Sequence, residues 1–148
     1  MKSIIFIGLL LIFNFYSNQL FSQKNDDNLI VVTVSDTTKI YERVRQAITF
    51  TNLIIREDSK KDTLVTLSEV IDGSTIYLIA VVIITGNKVE ISGAYGLGKD
   101  DYWGFPSVLP KSYKPVVYFK GSQGWKVIRQ IAIKLDGKIE YINTSKKS

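Results

Sequence analysis

From Ser74 to Thr85 the chain is apolar at nearly every position and rich in Ile and Val (STIYLIAVVIIT). The run falls short of the about 20 apolar residues that a membrane-spanning helix needs. A short β-branched run closed by turn residues predicts instead a strand buried on both faces. Gly86-Asn87 follows, a two-residue turn with Gly where a positive φ is required, and Lys88–Gly96 (KVEISGAYG) then runs back. This turn fixes a register: Ile84 opposite Val89, Val82 opposite Ile91, Ala80 opposite Gly93 and Leu78 opposite Tyr95. All of these are apolar or Gly, and they define the inner face. Tyr77, Ile79, Val81, Ile83 and Thr85 share the outer face with Lys88, Glu90, Ser92, Ala94 and Gly96. Upstream, Asp72-Gly73 predicts a type I′ hairpin that pairs Leu67 with Leu78 and Val65 with Ala80, leaving Thr66 and Ser68 on the outer face. The expected unit is a meander of Thr63–Ile71, Ser74–Thr85 and Lys88–Gly96.

The flanks carry a different period. Leu29–Ser35 (LIVVTVS) reads as a strand, and Ser35 or Asp36 can cap a helix with a side-chain oxygen. Over Thr37–Phe50, Ile40, Val44, Ala47 and Ile48 recur at helical spacing, with Lys39, Glu42, Arg43 and Gln46 mostly elsewhere on the wheel. Leu53–Glu57 resumes extended character, the charged loop Asp58–Asp62 follows, and a further short strand is expected at Val116–Phe119. Within Ser122–Leu135, Trp125, Ile128, Ile131, Ala132 and Leu135 fit a helix that Asp136-Gly137 stops. The same segment also fits a strand, since Val127, Ile131, Ile133 and Leu135 share parity; the helix is the preferred reading. Lys138–Asn143 would be the last strand, followed by the polar tail 144–148. The order is β-α-β-β-β-β-(β)-α-β, which predicts an α+β fold: an antiparallel β-meander sheet with two helices packed on one face, forming a single domain over 29–143.

Residues 1–22 look like a secretory signal peptide. Lys2 supplies the positive start, Ile4–Phe15 the apolar stretch, and Ser22 a small residue before a cut at Gln23. The rival reading is an uncleaved membrane anchor. With cleavage the protein is secreted or periplasmic, not an integral membrane protein, and residues 23–28 form a flexible lead-in.

Composition narrows the chemistry. The 148 residues are 45% hydrophobic and 22% charged, enough for one domain to bury a core without staples. There is no Cys and no His, which removes disulfides, thiolate and imidazole catalysis and the usual zinc ligands. Glu57, Asp58 and Asp62 lack calcium-loop spacing, so no metal site, cofactor or catalytic residue is assigned. The net charge of +5 is scattered, without the basic stripe of a nucleic-acid binder.

The stretch Leu97–Pro115 holds all three prolines and the aromatics Tyr102, Trp103, Phe105 and Tyr113; long irregular stretches of this kind often serve as binding loops. Together with the apolar stripe Tyr77, Ile79 and Val81 on the outer face, Tyr102, Trp103, Phe105 and Tyr113 are the candidate binding residues. The competing reading is that the loop simply plugs the sheet. The partners open to such a surface are an envelope protein, an amphiphile or a glycan, and the expected role is a non-enzymatic binding or envelope-accessory domain. The alternative is a small glycan-acting hydrolase or lectin-like module, using Asp100 or Asp101 with Glu90 or Glu69 and the same aromatics.

The Ser22-Gln23 signal ending, the element order and the closing Gly124-Trp125 and Gly137–Tyr141 (GKIEY) segments resemble small secreted domains of unknown function from Bacteroidetes. That resemblance implies a TATA-binding-protein-like α/β fold over roughly Leu29 to Ile142 and an exported location, and it carries over no catalytic residue.

Overall fold

The computed structural model of the chain describes residues 23–57, 59–99 and 112–146. Its elements are β1 (Leu29–Thr33), α1 (Ile40–Thr49), β2 (Thr63–Val65), β3 (Glu69–Val70), β4 (Tyr77–Thr85), β5 (Lys88–Gly96), β6 (Lys114–Pro115), α2 (Gln123–Lys134) and β7 (Lys138–Ile142). A 3₁₀ turn at Thr144–Lys146 closes the described chain. All strands pair antiparallel in one sheet of order β2-β4-β5-β1-β7, with β3 also on β4 and β6 on β5. This is the expected α+β architecture. The expected signal segment lies outside the described residues, among which no helix is long and apolar enough to cross a membrane.

The β4–β5 hairpin has the register its turn demands, from Tyr77 opposite Gly96 to Thr85 opposite Lys88, with Gly86 at φ 59°. The inner-face residues Leu78, Ala80, Val82, Val89 and Ile91 are fully buried. Ile30 and Val32 of β1 join them beneath Val44, Ala47 and Ile48 of α1 and Trp125, Ile128, Ile131 and Ala132 of α2. Both helices therefore lie on one face. Burial of this many aliphatic side chains is the main stabilising term, at about 1.5–3 kcal/mol for each full side chain.

The second hairpin departs from expectation. A type I′ turn needs positive φ at both central residues, and here only Gly73 (φ 72°) has it. Ile71 N–H donates to Ile76 C=O at 2.8 Å instead, enclosing four residues, and Ser74 Oγ bonds both Ile71 C=O and Ile76 N–H. β3 accordingly pairs Glu69 with Leu78, and after an offset near Thr66 β2 pairs Val65 with Val81 and Leu64 with Val82. The slip reverses the faces. Leu64 enters the main core, while Val65 turns to the outer side. Thr66, expected on the outer face, sits opposite Ala80, which donates its N–H to Thr66 Oγ1 at 2.9 Å.

Other boundaries shift for local reasons. α1 starts at Ile40 after Lys39 in a left-handed conformation (φ 53°) with no side-chain cap; Asp36 Oδ1 instead accepts the Thr38 N–H at 2.8 Å. The 53–57 segment is not a strand: only Ile55 bridges Thr66, after Asn52 (φ 62°) has turned the chain out of α1. α2 is a helix, capped by Ser122 Oγ on Trp125 N–H, and Ile133, which strand parity would bury, is exposed. Val116–Phe119 is not a ladder strand; β6 precedes it, and Tyr118 exchanges backbone bonds with Asp26 and Asp27. The 23–28 lead-in, expected to be flexible, is thereby tied to the domain, with Asp27 buried and accepting Lys24 N–H at 2.8 Å.

Candidate functional site

On the outer face the structure brings together Tyr77, Ile79, Val81 and Tyr113. Tyr113, arriving just before β6, is buried against Val65, Ile79 and Ala94, with Tyr77 and Val81 partly buried around it. A buried phenol needs a polar partner. Its hydroxyl donates to Gly98 C=O at 2.7 Å and is hydrogen-bonded to Ser68 Oγ. The ring fits only because residue 96 is Gly, where a Cβ would collide with it. Ile79 is fully covered, so the accessible part of this stripe is its margin, with Ile83 38% and Leu97 81% exposed. Tyr102, Trp103 and Phe105, together with Asp100 and Asp101, lie outside the described residues. Glu90 stands on the outer face between Ile83 and Val31, and Glu69 Oε1 lies 3.9 Å from Lys99 Nζ. Glu69 lies beside Leu78 and Glu90 beside Ile83, at separate positions along β4. Among the described residues no group of three or more acidic, His or Cys side chains is placed to hold a metal.

A different concave site opens at one end of the helix layer, and the sequence reading did not find it. The turn after α1 (Phe50, Thr51, Asn52, Leu53), Val70 of β3, Ile71 and Asp72 of the β3–β4 loop, Leu78, and Val127 and Gln130 of α2 enclose a cleft of about 240 Å³. Leu53, Ile71 and Leu78 are buried, so its floor is apolar. Phe50 and Val70, 60% and 48% exposed, stand on its flanks. Lys134 Nζ lies 3.6 Å from the centroid of the Phe50 ring, a cation–π contact that keeps the ring in place. Ligand pockets for drug-sized molecules are usually about 300–1,000 Å³, so this cleft suits one aromatic ring or branched side chain. Its sequence signal is slight: an aromatic residue just past the last turn of an amphipathic helix.

The chain matches no family model, no curated protein and no solved structure. The functional reading therefore rests on the geometry. A wider, more open depression of about 470 Å³ is lined by Ile40, Tyr41, Lys61, Asp62 and Ile84. Among the described residues the electrostatics single out Asp36. Asp36 has its carboxyl held below the ordinary value of 3.8, first by the Thr38 backbone N–H and then by the Thr38 hydroxyl and the charge of Arg43. Arg43 bonds Asp36 C=O at 2.8 Å and Leu135 C=O at 2.7 Å, linking the start of α1 to the end of α2. That is a structural tie between helices.

Proposed function

We propose that this is an exported, secreted or periplasmic, non-enzymatic binding or envelope-accessory domain, and that it holds an apolar side chain of an envelope protein in the cleft between α1, α2 and the β3–β4 loop. The observation that carries this reading is the cleft itself: an apolar floor with two exposed hydrophobic residues, Phe50 and Val70, standing on its flanks. Apolar side chains left in water around a concavity mark contact sites, because covering them releases hydration cost. The polar groups of Asn52, Asp72 and Gln130 at the same cleft supply hydrogen-bond partners for the backbone around an inserted side chain. The export half of the proposal rests on residues 1–22, with Lys2 before the apolar Ile4–Phe15 and a small residue at Ser22.

The test begins with indole as a probe, followed by backbone amide NMR. Resonances of Leu53, Ile71, Val127 and Gln130 are expected to shift saturably, and Val70→Asp is expected to weaken binding about tenfold, by placing a charge where an apolar group docks. An envelope protein that binds wild type is expected to lose affinity for Val70→Asp in parallel. Absence of shifts at these residues, or a partner that binds Val70→Asp as well as wild type, removes the cleft from the proposal. Asp101→Asn separates the glycan-hydrolase reading: it leaves an apolar contact intact and abolishes any glycosidase activity that depends on that carboxylate.

A further inference from the structure

The two long edges of the sheet are treated differently. The β2 edge is covered by Ile54, Ile55, Arg56 and Ser59. Ile55 bridges Thr66, Arg56 N–H donates to Val65 C=O at 2.8 Å, Leu67 N–H donates to Ile54 C=O at 2.7 Å, and Ser59 Oγ bonds both the N–H and the C=O of Val65. β7 ends the strand order on the other side, and among the described residues no strand lies beyond it. The ladder tells which of its groups point outward. Val34 N–H donates to Asn87 C=O at 2.9 Å, so within β1 residues 30 and 32 bond toward β5, and 29, 31 and 33 bond toward β7. Their partners Ile142, Glu140 and Lys138 are therefore the inward-bonding residues of β7, and Ile139 and Tyr141 present N–H and C=O to the open edge. A row of such groups is a template for another strand.

We infer that a second copy of this chain adds there, β7 antiparallel to β7 across a two-fold axis at Ile139, to make one continuous sheet from two domains. The charge pattern selects both occupant and register. Lys138 and Glu140 lie on the outer face, 44% and 40% exposed and 2.9 Å apart. Charged residues on an edge usually discourage pairing. Here, however, their signs are opposite and their spacing is two. Centred on Ile139, the antiparallel pairing sets each Lys138 against the Glu140 of the other copy, twice, while Ile139 meets Ile139 on the helix side. Centring on Glu140 would oppose like charges directly, which destabilises a strand pair. The open strand is thus complementary to itself in one register. The two-fold contact is isologous and closed, so it ends at the dimer.

The test uses the protein expressed from its full sequence and purified in the form the cell exports, followed by sedimentation velocity over a concentration series. Wild type is expected to dimerise, and added salt is expected to weaken the dimer by screening the four charges. Lys138→Glu and Glu140→Lys each turn two attractive pairs into repulsive ones, so each variant is expected to dimerise about tenfold or more weakly. Mixed in equal amounts, the two variants restore opposite charges at every position, and a mixed dimer is expected to return. Both positions are exposed, and circular dichroism verifies that each variant keeps its fold. Ile139→Pro removes the central edge N–H at a position where an edge strand tolerates proline, and it too is expected to give monomer. A wild type that stays monomeric at every concentration, a dimer indifferent to both charge reversals, or single variants that do not complement each other overturns the inference.

Discussion

The two faces of the sheet are buried by different means. On the inner face, helices α1 and α2 lay a continuous set of aliphatic side chains and Trp125 over β1, β4 and β5. On the outer face, among the described residues, Tyr113 closes a small cluster of Val65, Ile79 and Ala94. The first arrangement spreads its stability over many contacts. The second concentrates it in one ring and one hydroxyl, whose partners Ser68 and Gly98 come from separate strands or their ends. The inner face should therefore govern global unfolding and the outer face local opening.

Truncation at the centre of each cluster exposes the contrast. Trp125→Ala is expected to cost about 3–5 kcal/mol in urea denaturation, since it leaves a large cavity between α2 and the sheet. Its ring meets Tyr118 and Tyr141 at centroid distances of 5.8 and 5.9 Å, so the loss extends to β7 and to the segment after β6. Among the described residues the buried indole Nε1 has no hydrogen-bond partner, so packing carries the expected loss. A loss below about 1 kcal/mol would mean that the inner face collapses around the gap far better than close packing allows.

Tyr113→Phe is the matching change on the outer face, and it is smaller. The ring remains, but Ser68 Oγ and Gly98 C=O lose the hydroxyl, at an expected cost of about 1–3 kcal/mol. Hydrogen exchange should show where that energy acts. Amides of Val65, Thr66 and Ala80 are expected to exchange faster, while those of Ile128 and Ile131 in α2 keep their protection. If all of these amides lose protection together, the outer cluster belongs to the same cooperative unit as the core, and the division between the faces fails.

This division also marks what could be read from residues alone. The inner face was legible because period 2 in β4 and β5 and helical period in α1 and α2 each point the apolar residues one way. The Gly86-Asn87 turn fixed its register correctly, since glycine occupied the position with positive φ. The Asp72-Gly73 turn contains the same kind of signal and misled. Ser74 stabilised a four-residue loop, and the resulting slip moved Val65 to the outer side and Leu64 inward. Tyr77, Ile79 and Val81 share the face that alternation along β4 gives them, but no local pattern shows that Tyr113 buries Ile79, because that contact joins distant segments. The cleft of Phe50 and Val70 was illegible for a related reason. It depends on how the chain turns out of α1 past Phe50 and on how the β3–β4 loop closes, and the second differed from the simplest reading.

The smallest predicted effect lies at the margin of the helix layer, where Arg43 joins Asp36 C=O to Leu135 C=O and so holds α1 against the end of α2. Asp36 is fully exposed, yet its carboxyl is held below the ordinary 3.8 by the Thr38 N–H, the Thr38 hydroxyl and Arg43. A carboxyl lowered in the folded state binds its proton less readily there than in the unfolded chain. Its contribution is therefore complete above the unfolded value and is lost as pH falls through the folded one. Asp36→Asn keeps an oxygen for the Thr38 N–H and removes the titration. Stability measured by urea at a series of pH values should fall more steeply for wild type than for Asp36→Asn below about pH 4, with parallel curves above about pH 5. Because the tie belongs to the helix layer, Tyr113→Phe should leave this difference unchanged; independent sites more than about 7–10 Å apart add in free energy. A pH difference that vanishes in the Tyr113→Phe background would show the two faces to be coupled through the sheet.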